Sequence, residues 1–161
     1  MSDYTPNPRT FRTEGFAEFE QQLKAIGEMY RSDLAARQTL VKAAKIAMEV
    51  VYNQATATAP YDSKSAGPIH LRDTIRLDAR IPNSKDIQSA YVNETDAAIA
   101  VVSAKKSAVS LSQEFGNAHT PMHPFLRPSL DRNSEEVVRI LGRQLAMIIP
   151  AYAQKLNKGK K

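Results

Sequence analysis

Cysteine is absent from this chain of 161 residues. Its absence excludes disulfide bonds and thiolate metal sites, and it makes a reducing cytoplasm the expected compartment of synthesis. No stretch approaches the roughly 18 apolar residues that a membrane span requires. The first residues also lack a basic region followed by an apolar run, so we expect no signal peptide. A disulfide-stapled scaffold and a membrane-spanning protein are therefore excluded.

Basic residues only slightly outnumber acidic ones, and the excess is concentrated at the C-terminal end of the chain. The formal net charge is +5, and residues 155–161 alone contribute four lysines and no acid. We expect residues 157–161 to be a basic disordered tail, with contact to phosphate or an acidic partner as the alternative. The remaining chain is close to neutral, which argues against a dedicated DNA-binding domain. Its length and 42% hydrophobic content are those of one globular domain.

The first 30 residues contain a predicted arm and a predicted helix. Residues 1–13 carry two prolines and no hydrophobic period, which predicts an extended N-terminal arm. Residues 14–156 are expected to form a single α+β domain. Its first 17 residues predict an amphipathic helix, because apolar side chains recur at spacings of three and four: Phe16, Phe19, Leu23, Ile26 and Tyr30. We expect this stripe to face the core, with a partner groove as the alternative.

A longer helix is predicted over residues 34–59. Ser32 and Asp33 offer its N-cap, and Pro60 ends it because the residue before a proline is pushed out of helical geometry. Frequent alanines favour the helix and let another backbone approach closely. The expected core face consists of Leu40, Ala44, Ala47 and Val51, widened by Ala43, Ile46 and Val50.

The centre of the chain changes to strand patterning after a long loop. Residues 60–70 contain two prolines, a glycine and two serines, and they predict the loop. Residues 75–81 alternate apolar and charged side chains, as a half-buried strand does, and residues 97–104 predict a buried strand. Residues 87–93 predict a further short strand. Short connections imply antiparallel pairing, since parallel neighbours need long crossovers.

The last third of the chain combines a proline-rich segment with a helix. We expect residues 105–123 to be extended, and three prolines between residues 121 and 128 exclude a helix or central strand there. Residues 129–156 predict the final helix, capped near Asn133 and kinked or ended by Pro150. Its apolar stripe is Val137, Leu141, Leu145, Ile148 and Tyr152. The predicted fold class is α+β, with three main helices on one face of a small antiparallel sheet.

Histidines and carboxylates are the candidates for catalytic or metal chemistry. His119 and His123 have the spacing of two ligands on one helical face, but a proline between them prevents that helix. Together with His70, Asp73 and Glu114 they keep a small metal-dependent enzyme open as an alternative. No nucleophile elbow, phosphate loop or dinucleotide fingerprint occurs. We therefore expect no enzyme, no catalytic residue, no cofactor and no metal.

Arg72 and Arg127 are the remaining candidates for binding. An arginine whose backbone is fixed by its surroundings can tie down a loop through a salt bridge or through hydrogen bonds to carbonyl groups. Phosphate binding is the alternative at both positions. We expect the structural role.

Four short motifs occur in a fixed order along the chain. They are Ala57-Thr58-Ala59-Pro60, His70-Leu71-Arg72-Asp73-Thr74-Ile75, Glu114-Phe115-Gly116, and His123-Pro124-Phe125-Leu126-Arg127-Pro128-Ser129-Leu130-Asp131. In this order they resemble the gene-product-10-like family of head–tail joining, or tail-completion, proteins of lambda-like tailed bacteriophages. The resemblance covers about residues 38 to 156. Residues 108–111 depart from it where members often carry a tyrosine, and no lysine-rich turn follows Gly116.

The resemblance implies a structural virion protein, a neck-ring subunit that completes the tail and joins it to the head connector. It would be assembled in the host bacterial cytoplasm and located in the virion neck. Its implied partners are its own copies, as a hexamer because phage tails are six-fold, a head connector or stopper protein, and a tail terminator or tail tube protein. Phage DNA would pass through the ring without sequence-specific binding, and no membrane is involved. A tail terminator or other minor tail protein is the sister alternative.

The family has no catalytic residues, so the resemblance implies structural or interaction roles. The positions concerned are Leu71, Arg72, Asp73, Glu114, Phe115, Gly116, His123, Pro124, Phe125, Leu126, Arg127 and Pro128. We expect Phe125 and Leu126 to be buried against the 34–59 helix. The N-terminal arm, the 60–70 loop and the 105–123 segment are expected to reach neighbouring subunits.

Overall fold

The described part of the chain contains three α-helices with defined ends, a one-turn 3₁₀ helix and two strands. The computed structural model describes residues 27–28, 30–64, 67, 69–93 and 95–158. The elements are α1 (Leu34–Thr58), a one-turn 3₁₀ helix (Leu71–Thr74), β1 (Arg76–Arg80), β2 (Ile99–Ser103), α2 (Ala108–Phe115) and α3 (Leu126–Lys158). The fold class is α+β, with helices packed against a small antiparallel sheet, as the sequence predicts.

The predicted N-terminal elements fall mostly outside the described residues. The arm of residues 1–13 does so entirely, and so does most of the helix predicted over residues 14–30. Residues 27, 28 and 30–32 are helical, and Tyr30 at the end of the predicted stripe is buried. The Tyr30 hydroxyl lies 3.5 Å from the carbonyl oxygen of Ile148 in α3.

Helix α1 begins and ends where its capping residues predict. The Asp33 carboxylate accepts hydrogen bonds from the backbone N–H groups of Ala35 at 2.8 Å and Ala36 at 3.4 Å. At the other end, Ala59 has a ψ of 130°, which is outside helical geometry and leads into Pro60.

The buried face of α1 is rotated from the predicted one. Its buried residues are Ala36, Ala43, Ala47, Val51 and Ala55. Ala43, Ala47 and Val51 are buried as predicted, whereas Ile46 is 41% exposed and the other predicted core residues are only half-buried: Leu40, Ala44 and Val50. The buried alanines let α3 approach closely, and a larger side chain such as isoleucine is placed outside that contact.

The sheet is smaller than predicted. β1 and β2 pair antiparallel, with Arg76 opposite Ser103 and Arg80 opposite Ile99. β2 is half-buried, not buried, because Val101 on its outer face is 40% exposed.

The strand predicted over residues 87–93 is absent, and turns occupy that segment. The Arg80 guanidinium binds the Asp86 carboxylate through Nε at 3.1 Å and Nη2 at 2.6 Å, and Asn83 N–H donates to the same carboxylate. These bonds fix a turn directly after β1, and Tyr91, 93% exposed, finds no core to pack on.

The segment predicted to be extended between residues 105 and 123 contains α2. The Ser107 hydroxyl caps this helix by accepting from the Ser110 N–H at 3.1 Å, and the buried Ser110 hydroxyl donates to the Lys105 carbonyl oxygen at 2.8 Å. The chain is helical here because a serine cap and a glycine stop enclose eight residues. The prediction missed both signals.

Helix α3 begins earlier and ends later than predicted. Asn133 is not its cap but lies in its interior, where its amide donates to the Ser129 carbonyl oxygen. The helix also passes through Pro150 and continues to Lys158, into the tail predicted to be disordered. Pro150 and Ala146 are both exposed, so water can bind the carbonyl group that the proline leaves without a donor.

The core lies where the end of α1 meets the start of α3. Phe125 is fully buried against Ala55, Ala59 and Ile75, as predicted, and Leu126 packs at the edge of the cluster. Other partly buried residues around it are Tyr52, Leu71, Val102 and Ala104. Since Tyr30, ahead of α1, lies beside Ile148, the two long helices run antiparallel.

Candidate interaction site

Glu114, the last-but-one residue of α2, binds the start of α3. Its carboxylate accepts hydrogen bonds from the backbone N–H groups of Phe125 at 2.9 Å, Leu126 at 3.1 Å and Arg127 at 3.1 Å. The first four N–H groups at a helix start lack intrahelical acceptors. Counted from Phe125, the residue before α3, the fourth position is Pro128, which has no N–H group. Glu114 therefore satisfies every free donor at the start of α3, and its negative charge lies at the positive end of the helix.

Gly116 turns the chain back so that this contact can form. Its φ is +74°, a region that L side chains rarely adopt, and its N–H donates to the Ser112 carbonyl oxygen at 2.8 Å. A Cβ atom at this position would lie 3.1 Å from the backbone nitrogen of Met122. Asn117 closes the following turn, and the His123 N–H donates to the Gln113 carbonyl oxygen at 2.7 Å. The two motifs around residues 114 and 125 are thus one structural unit.

The Leu-Arg-Asp-Thr motif forms the 3₁₀ helix before β1. The Asp73 carboxylate accepts from the His70 N–H at 3.0 Å, which closes the turn. The Thr74 hydroxyl donates to the Leu71 carbonyl oxygen at 2.7 Å and lies 3.4 Å from the Lys105 backbone nitrogen. This one turn ties the 60–70 loop to the segment that leaves β2.

Among the described residues, the structure shows neither the salt bridge nor the carbonyl hydrogen bonds predicted for Arg72. Its guanidinium carbon lies 5.1 Å from the centre of the Tyr61 ring, and that ring in turn lies 4.5 Å from the His70 ring. Within the part of the chain that the structure describes, the buried Nε atom of Arg72 has no hydrogen-bond partner. The arginine contributes a cation–π contact that orders the start of the loop.

A cavity of about 440 Å³ opens between the loop, the 3₁₀ helix and α2. Tyr61 and Ile69 line it from the loop side, and Lys105, Val109 and Gln113 line it from the other. Ile69 is 68% exposed and Val109 is 58% exposed. The Gln113 Oε1 atom is buried without a hydrogen-bond donor among the described residues.

Several motif residues remain on the surface. Phe115 is 64% exposed, and Met122, which packs against Gly116 next to it, is 65% exposed. His123, Pro124 and Arg127 are exposed as well. The structure thus divides the predicted site residues into those that hold the fold and those that face outward.

The histidines and carboxylates of the predicted alternative metal site are not gathered in one place. His70 and Asp73 belong to the 3₁₀ turn, Glu114 binds α3, and His119 and His123 are exposed in the turn between α2 and α3. Within the described ranges, no group of three or more metal-ligating side chains comes together. No helix in that same part of the chain is long and apolar enough to cross a membrane.

Sequence reasoning identified the motif residues but not the contacts that join them. It missed Tyr61, Val109 and Gln113, which shape the cavity. Val109 could have been found from the sequence. It is a large apolar residue among lysines and serines, and an apolar side chain exposed in such surroundings often contacts a partner. Comparisons with family models, with curated proteins and with solved structures found no match for this chain.

Proposed function

We propose that this protein is a structural subunit of a ring in the neck of a tailed bacteriophage, where it completes the tail and joins it to the head. The proposal is supported by four motifs in the order of the gene-product-10-like family. It is also supported by the way these motifs combine, because Glu114 of one motif holds the helix that the last motif begins.

The observation that carries the proposal is the exposed apolar surface around Phe115. α2 has eight residues, and two large apolar side chains on the side away from the cavity are exposed: Leu111 and Phe115. Ser110 and Glu114 face the body, so Phe115 is not needed to hold the helix in place. A phenylalanine exposed in this way is typical of an anchor in a protein–protein interface.

The first experiment compares Phe115→Ser with Val138→Ser. Val138 is 69% exposed on α3 and serves as the matched control. Both variants should keep the melting temperature of the wild type. Phe115→Ser should weaken self-association roughly 30-fold or more, as the loss of an interface anchor worth about 2 kcal/mol implies. Sedimentation or mass photometry of the wild type should show a closed ring, and a protein that stays monomeric at high concentration would contradict the proposal.

The second experiment locates the protein. A phage that lacks this gene should produce separate heads and tails, and gold labelling of a tagged copy should mark the head–tail junction. A label on the tail end before heads attach would favour the tail-terminator alternative. Normal virions without the gene would refute both roles.

A further inference from the structure

The cavity beside α2 has the features of a docking site, and these are independent of the Phe115 surface. Val109 and Gln113 project from one side of α2, whereas Leu111 and Phe115 lie about half a helical turn away. The cavity volume of about 440 Å³ accommodates one or two large side chains. Its lining is largely apolar, and Gln113 contributes a polar side chain whose Oε1 atom is buried without a donor among the described residues.

The charges around the cavity are mostly positive. Lys105 lines it, Lys106 follows in the chain, and Arg72 stacks on Tyr61 at its wall. Asp62 is the acidic residue of the lining, and its carboxylate already accepts from the Lys64 N–H at 2.8 Å. An occupant with apolar side chains and negative charges would therefore match this site.

Residues 14–20 have that composition. They contain three glutamates, two phenylalanines and no base, in the order Glu-Gly-Phe-Ala-Glu-Phe-Glu. They therefore offer the apolar rings and the negative charge that match this cavity.

The length of the chain indicates which copy supplies this segment. Tyr30 lies beside Ile148, whereas the cavity adjoins Pro60 at the opposite end of α1. The 25 residues of α1 span about 37 Å. If residues 16–30 form the helix that the sequence predicts, the 14 steps from Phe16 to Tyr30 span only about 21 Å. A helix of that length would fall well short of the cavity of its own subunit.

We propose that the cavity of one subunit binds residues 14–20 of the neighbouring copy, with Phe16 and Phe19 inserted between Ile69 and Val109. This contact deepens the proposed ring function and rests on it. Because the donor segment and the cavity are different surfaces, the contact is head-to-tail, and it forms a ring when the rotation between neighbouring copies closes.

The absence of cysteine makes a direct test straightforward. The full chain carrying Phe16→Cys and Val109→Cys is assembled and oxidised, and a non-reducing gel separates the products. We expect a ladder of covalent multimers up to the size of the ring. The matched control pairs Phe16→Cys with Val138→Cys on α3 and should remain monomeric in the gel. When Phe19→Cys replaces Phe16→Cys, we again expect a ladder with Val109→Cys and a monomer with Val138→Cys.

A charge exchange tests the contact without cross-linking. Lys105→Glu should weaken assembly about twofold to fivefold, because it places a negative charge opposite Glu18. Adding Glu18→Lys should restore assembly, because the two charges are then opposite again.

The outcomes separate this contact from the proposed function. Rings that form without the ladder, or a ladder replaced by an internal disulfide in monomers, would overturn the contact alone. A wild type that never assembles and is absent from the neck would overturn both.

Discussion

The Glu114 contact offers the most direct test of how this fold is held together. One carboxylate satisfies three backbone donors at the start of α3, and no other acceptor for them is present among the described residues. Loss of a helix cap costs about 0.5–2 kcal/mol, and each partly buried donor left without an acceptor adds roughly 1 kcal/mol or more. Glu114→Ala should therefore lower the free energy of unfolding by about 2–4 kcal/mol.

The melting temperature reports this loss. For a chain of this length roughly 2–4 °C is lost per kcal/mol, so Glu114→Ala should melt about 5–12 °C lower. Glu114→Gln keeps one acceptor oxygen, which can serve Phe125 and Leu126, and should lose about half as much. The exposed Glu135→Ala is the matched control and should change stability by less than about 0.5 kcal/mol. If Glu114→Ala has the same melting temperature as Glu135→Ala, the Glu114 contact does not stabilise α3, and the prediction is refuted.

Three further predictions follow from the same region and from the turn after β1. Phe125→Ala should cost about 3–5 kcal/mol, because the ring is fully buried, and chemical denaturation of this variant and of the milder Phe125→Leu measures it. Gly116→Ala should cost about 1–3 kcal/mol, from its φ of +74° and the close approach of Met122, and an unchanged melting temperature would contradict this. The pKa of Asp86 lies below its ordinary value of 3.8, first because Arg80 binds its carboxylate and then because the Asn83 N–H donates to it. The stability from this pair is therefore full above the ordinary pKa and is lost as pH falls through the lowered one, so the stability difference between wild type and Asp86→Asn should shrink below about pH 4.

Local signals in the sequence predicted the long elements well. α1 follows from the Asp33 cap, the alanines and Pro60, and these signals act within one helical turn of the residues they control. The expected burial of Phe125, in the segment that opens the last helix, is also confirmed. The alternation of residues 75–81 predicted β1 for the same local reason.

Contacts between distant segments could not be predicted in the same way. The start of α3 is set by Glu114, which lies twelve residues ahead of Leu126, so the search for a cap near Asn133 was too local. Residues 87–93 have the composition of a strand, but the Arg80–Asp86 ion pair stabilises a turn directly before them. In both cases a side-chain interaction outside the segment's own pattern determined the structure. The local preference of the segment did not.

The residues that carry the family resemblance differ in what the fold requires of them. Asp73 closes the 3₁₀ turn, Glu114 caps α3, Gly116 needs its positive φ, and Phe125 fills the core. Such residues would recur in any protein with this fold, so they argue for a shared fold more strongly than for a shared assembly. Phe115 is different, because it stands within the same motif but is 64% exposed. An aromatic side chain exposed to this degree is typical of a contact with a partner, and the proposed ring function therefore rests on Phe115 more than on any other residue of these motifs.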